Sequence, residues 1–143
     1  MIWRLLRDLH FEGIRFQYIN ACELADLYSR NPAQREAVEH RLKQLKNTPL
    51  LFIDDLGKER SWKDSDAIPE RVYSLLDYRY AKCLPLLWTS NFTERALTEH
   101  YGERGPNIIR RLHDMTVWVE VVKGRKKMRA PSLPIPVQAR KFA

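Results

Sequence analysis

Four consecutive apolar residues, Leu50-Leu51-Phe52-Ile53, run directly into two carboxylates, Asp54 and Asp55. A short, fully apolar run suits a strand buried on both faces, as in a parallel sheet. Ligands of open α/β sheets bind at the carboxyl ends of the strands, so Asp54 stands at the edge of such a crevice. A hydrated Mg²⁺ is commonly held by one or two carboxylates plus substrate phosphates. Asp55 is then placed to orient or deprotonate an attacking water. Taken alone, the pair serves equally well to end a strand and cap the following turn.

Two more groups have the right chemistry. A second apolar stretch, Leu84 to Thr89, ends in Thr89-Ser90-Asn91, and an amide at the same sheet edge suits a water or a terminal phosphate. Arg110-Arg111 follows Gly105-Pro106, and a guanidinium aimed at a transferring phosphate is the arginine-finger device.

These groups need a scaffold, and the periodicity supplies one. Ile2, Leu5, Leu6 and Leu9 repeat at helical spacing, with Gly13 at a C-terminal cap. Residues 14–19 (IRFQYI) predict a strand. Residues 21–30 predict a helix stopped by Asn31-Pro32, and 33–46 a second helix. After a loop from Gly57 to about Asp64, Ser65 or Asp66 caps a helix with Pro69 in its first turn and Ile68, Val72, Leu75 and Leu76 on one stripe. Thr93 caps a helix ending near Gly102, Gly105-Pro106 opens another to about Met115, and residues 116–122 (TVWVEVV) predict a strand. Strands alternating with helices predict βαβ crossovers and an α/β fold, a three-layer, mainly parallel sheet.

In order, "LLFIDDLGKE", "LDYRY", "LPLLWTSN" and "NIIRRL" resemble the signature of the DnaC/IstB-like branch of AAA+ ATPases, over about residues 1–129. The resemblance implies a P-loop NTPase sheet and ATP with Mg²⁺ as cofactors. It matches Asp54 to the Walker B metal carboxylate and Asp55 to the catalytic acid, with Glu59 a second candidate for that role. Asn91 matches the sensor-1 residue beside the nucleotide. Arg111 matches an arginine finger serving a neighbouring subunit, and Arg129 a late, sensor-like arginine. Implied partners are a replicative helicase or a transposase, single- or double-stranded DNA, and like subunits in an AAA+ oligomer. "LDYRY" is expected to serve packing.

A phosphate-binding GxxxxGK[ST] loop does not occur; only Gly57 is followed by Lys, as Gly57-Lys58-Glu59. The resemblance places that loop, and the family's central first strand, immediately before Met1, so an N-terminally truncated core with an interrupted sheet is expected. The alternatives are an ATP-independent interaction module and a DNA-binding remnant.

The net charge of +7 is unevenly spread: residues 104–143 hold 10 Lys/Arg against 2 Asp/Glu. Lys123, Arg125, Lys126, Lys127 and Arg129 are the candidates for phosphate contact with nucleic acid; a solubilising tail has the same composition. Residues 130–143, basic and Pro-rich, are expected to form a tail outside the core. No apolar run approaches the roughly 20 residues that span a bilayer, and Cys22 and Cys83 are expected as free thiols in a reducing cytoplasm. His10, His40, His100 and His113 lack ligand spacing and are expected at the surface or at caps. Trp88 and Trp118 are expected in the core, and Trp62 is the candidate for an exposed contact.

Overall fold

The computed structural model describes residues 2–29, 35–59, 67–122 and 125–129. Three strands form a parallel sheet in the order β1 (Phe16–Asn20), β2 (Leu50–Asp54), β3 (Leu86–Trp88). Tyr18 lies opposite Phe52, Asn20 opposite Asp54, and Ile53 opposite Trp88. Among the described residues six α-helices accompany it: α1 (Ile2–Phe11), α2 (Ala21–Ser29), α3 (Arg35–Asn47), α4 (Ala67–Ala81), α5 (Glu94–His100) and α6 (Gly105–Met115). No helix among the described residues is long and apolar enough to cross a membrane.

The apolar run behaves as its composition requires. Leu50, Leu51, Phe52 and Ile53 are 8%, 0%, 0% and 0% exposed. Full burial of such side chains is worth about 1.5–3 kcal/mol each, which fixes β2 in the middle of the sheet. On one face, Ile19, Leu51, Ile53 and Leu86 join a buried cluster with Leu24 of α2, Leu45 of α3, Val72, Leu75 and Leu76 of α4, and Ile108 and Leu112 of α6. On the other, Tyr18 and Phe52 meet Trp3 of α1, with ring centroids 5.5 and 6.0 Å from the indole.

The punctuation signals that fall on described residues hold; the Asn31-Pro32 stop lies outside them. Gly13 adopts φ +75°, so that the Ile14 N–H can turn back to Leu9 O at 3.0 Å. The Thr93 hydroxyl accepts from Ala96 N–H at α5, and Pro106 sits in the first turn of α6. Where Ser65 or Asp66 was expected as a cap, the residues lie outside those described, as does Trp62. Strand β3 is shorter than the expected 84–89; Pro85 contributes only its carbonyl, accepting from Leu51 N–H at 3.4 Å.

The last strand differs from expectation. Residues 118–122 do form a strand, β4 (Trp118–Val122), but it does not extend the parallel sheet. It pairs antiparallel with β5 (Arg125–Arg129), Trp118 opposite Arg129 and Val122 opposite Arg125. Among the described residues β3 pairs only with β2, and β4 only with β5. The basic run RKKMR carries no hydrophobic alternation, so its strand was not legible in the pattern.

"LDYRY" contributes more than apolar packing. Arg79 is fully buried. One guanidinium nitrogen, Nη1, donates to the carbonyls of Leu45 (2.9 Å), Lys46 (3.2 Å) and Thr48 (3.0 Å), and the other, Nη2, to Pro85 O (2.6 Å). The last carbonyls of a helix have no intrahelical donor and carry the negative end of its dipole. Arg79 satisfies them at the end of α3 and ties the entries to β2 and β3 together. Burial lowers its pKa to about 10, which leaves it a cation at neutral pH.

Candidate functional site

The ends of β2 and β3 bring three of the sequence-predicted residues together. Asp54 accepts from the Thr89 hydroxyl on one carboxylate oxygen and from Tyr18 Oη at 3.3 Å on the other. The same Thr89 oxygen accepts from the Asp55 N–H at 3.0 Å. Asp55 is left-handed, at φ 59°, a conformation that its short polar side chain tolerates. Its carboxylate meets Asn91 Nδ2 at 3.4 Å and Lys58 Nζ at 2.8 Å. One threonine therefore links both carboxylates, and Asn91 faces the second of them.

The turn after Asp55 is fastened from several directions. Leu56 N–H donates to Thr89 O at 2.8 Å, and the Ser90 hydroxyl to Leu56 O at 2.5 Å. Gly57 sits at φ +95°, and a Cβ there would lie 2.7 Å from Leu97 and 2.9 Å from Phe92. Glycine is required both for the backbone angle and for this close approach. On α2, whose first turn is capped by Asn20, the Cys22 thiol reaches Lys58 O at 3.1 Å.

Glu59 points inward rather than toward the carboxylate pair. It is 3% exposed, with Tyr101 Oη donating to one oxygen at 2.8 Å and His100 Nε2 lying 3.2 Å from the other. Burial, followed by the charge of Glu59, holds the Tyr101 hydroxyl well above its ordinary pKa; burial and then Asp54 raise that of Tyr18. His100, expected at the surface or at a cap, is instead a half-buried partner of Glu59.

The arginines lie apart from this cluster. Arg111 binds Asp77 of α4 through Nε at 2.8 Å and Nη2 at 2.6 Å, and its guanidinium lies 4.3 Å from the Tyr80 ring. Arg110 is exposed, 3.9 Å from Asp114. Neither contacts Asp54, Asp55 or Asn91 within this chain. Arg125, Lys126, Lys127 and Arg129 occupy β5, while Lys123 and residues 130–143 lie outside the described residues. Among the described residues no group of three His, Cys, Asp or Glu side chains could enclose a metal ion. Any cation at Asp54 would need oxygens from a ligand or water, which is the usual habit of Mg²⁺.

Sequence reasoning missed Tyr18, Lys58, Tyr101 and His100 as contributors to this region. Only the Gly57-Lys58-Glu59 run directly after the carboxylates hinted at Lys58. The others come from residues far away in sequence.

No protein-family profile matches this sequence. The chain is 34% identical over 80 residues to the "Replicative helicase loader DnaI" of Bacillus subtilis (strain 168), which is 53% of this chain and 24% of that protein. It is 34% identical over 89 residues to the "Phage-like element PBSX protein XkdC" of the same organism, 61% of this chain and 32% of that protein. The matched stretches thus span about a quarter and a third of those relatives' lengths.

Proposed function

We propose that this chain forms part of the nucleotide-handling core of a DnaC-like helicase loader acting in DNA replication. The observation that carries the reading is the linked set Asp54, Thr89, Asp55 and Asn91 at the carboxyl ends of two adjacent parallel strands. Similarity to a protein named for helicase loading supports it. Neither relative is named for transposition, so replication is the preferred role within the family resemblance.

In this reading the cofactors are ATP and Mg²⁺, the ion neutralising charge on the phosphates. Asp54 holds the ion's water shell, with Thr89 and Tyr18 fixing its carboxylate. Asp55 is better placed than Glu59 to orient the attacking water, because both Glu59 oxygens already face Tyr101 and His100. Asn91 contacts the water or the terminal phosphate. Arg111 serves the nucleotide of a neighbouring like subunit, and to do so it must leave Asp77. Lys123, Arg125, Lys126, Lys127 and Arg129 contact DNA phosphates.

A second reading rests on a specific feature: no GxxxxGK[ST] occurs in residues 1–143, so the chain does not itself supply the loop that grips phosphates. The chain would then engage a replicative helicase without using ATP. Binding to a purified replicative helicase, titrated with and without ATP and Mg²⁺, separates the two. The first reading expects tighter binding with ATP and Mg²⁺ and loss of that gain in Asp54→Asn. Equal binding in both conditions favours the second, and no binding in either contradicts both. A salt series isolates DNA contact, since affinity carried by these cations' phosphate contacts falls about 10²- to 10³-fold between roughly 50 and 200 mM salt.

A further inference from the structure

Glu59 is a carboxylate removed from solvent without a lysine or arginine partner among its described contacts. Burying such a group is costly unless it is hydrogen-bonded, so its place invites a positional explanation. Its two partners are consecutive residues at the end of α5, His100 and Tyr101. Tyr101 grips the turn by donating to Glu59 at 2.8 Å. Leu97 and Phe92 close on Gly57 from the same side. Helix α5 is in turn locked to α6: a Cβ on Gly105 would fall 2.0 Å from Thr98 O.

We infer that Glu59, held by Tyr101 and His100, is a positioning residue that pins the 55–59 turn to the α5–α6 unit and so keeps Asp55, with its partner Lys58, against Asn91. The inference deepens the reading of this turn as a nucleotide site. It assigns Glu59 to holding the site in shape rather than to proton transfer. It also gives the arginine-bearing helix α6 a mechanical connection to the carboxylates, running from Gly105 through α5 to Tyr101 and Glu59.

Amide hydrogen exchange on the whole chain tests this, and it does so without nucleotide, so its outcome is separate from whether ATP binds. The reporters are the Leu56 and Lys58 amides, bonded to Thr89 O and Asp55 O, with the β2 amides of Phe52 and Ile53 as internal controls. Tyr101→Phe keeps the ring and removes only the hydroxyl. It is expected to speed exchange at Leu56 and Lys58 about tenfold while leaving β2 unchanged, since the lost bond gates a local opening. Glu59→Leu should do the same. Glu59→Gln, which retains an acceptor for Tyr101, should stay within about threefold of the parent by the same bond count. Unchanged exchange at Leu56 and Lys58 in Tyr101→Phe overturns the inference. So does equal acceleration of the β2 amides, which would mean a general loss of stability. Failure of Glu59→Gln to restore protection relative to Glu59→Leu overturns it as well.

Discussion

The two ends of the β2–β3 pair are built in opposite ways. At the amino ends one buried cation, Arg79, is bonded to four backbone carbonyls and is shut off from solvent. At the carboxyl ends two carboxylates remain partly accessible, and their partners are side-chain hydroxyls, an amide and a lysine. Backbone partners cannot move without moving the fold, whereas side-chain partners can be exchanged for a ligand. The first end therefore holds the strands together, and the second is the end to which the proposed function assigns binding. In that proposal the same two strands serve both purposes because Arg79 takes up the stabilising role at the far end.

Substitutions should separate the ends, and the largest effect belongs to Arg79. Arg79→Leu leaves four carbonyls without their donor and should cost about 3–5 kcal/mol in urea unfolding. A loss under about 1 kcal/mol would show that the amino end is not the anchor. Thr89→Val should cost less, about 1–2 kcal/mol, because it removes one hydroxyl that serves both Asp54 and the Asp55 N–H. Its distinguishing consequence is weaker cation binding, which Arg79→Lys should not cause if the variant folds.

A third effect lies in alkali. The Tyr101 pKa is raised in the folded chain above its ordinary value of 10.0. Its neutral form is thus favoured by folding, and the contribution is fully present below pH 10. Stability should fall as pH rises above 10 toward the folded-state pKa, because only the unfolded tyrosine ionises there. Urea titrations at rising pH should show a smaller fall in Tyr101→Phe; identical profiles would place the ionisation elsewhere. Least of all, Lys58→Ala should change stability by less than about 1 kcal/mol, because its pair with Asp55 is half exposed and screened.

What the sequence disclosed follows from how local each feature is. Leu50 to Ile53 announced a strand buried on both faces because such burial leaves no room for polar alternation. The placement of Asp54, Asp55 and Asn91 was legible because each lies within three residues of the end of an apolar run, and strand ends in such sheets converge. Gly13, Thr93 and Pro106 act within one turn of their own positions. Arg79 was hidden because its partners at 45, 46 and 48 are more than thirty residues away, and nothing in "LDYRY" marks one arginine as buried. Tyr101 and His100 were hidden for the same reason, since Glu59 is about forty residues distant. Strand β5 was hidden because a basic run has the pattern of a tail whether or not it pairs. Arg111 was singled out by type and place, but its hold on Asp77 needed the packing of α4 against α6.

The central claim is that the carboxyl ends of β2 and β3 form a cation and phosphate site. Electron paramagnetic resonance of Mn²⁺ with ATP, the manganese standing for Mg²⁺, tests it on the whole chain. The account predicts that the parent protein removes free Mn²⁺·ATP signal in a saturable manner, and that Asp54→Asn abolishes this while Glu94→Gln, on α5, does not. Equal signal loss in the parent and Asp54→Asn, or none in either, would contradict the claim and leave Asp54-Asp55 as the end of a strand.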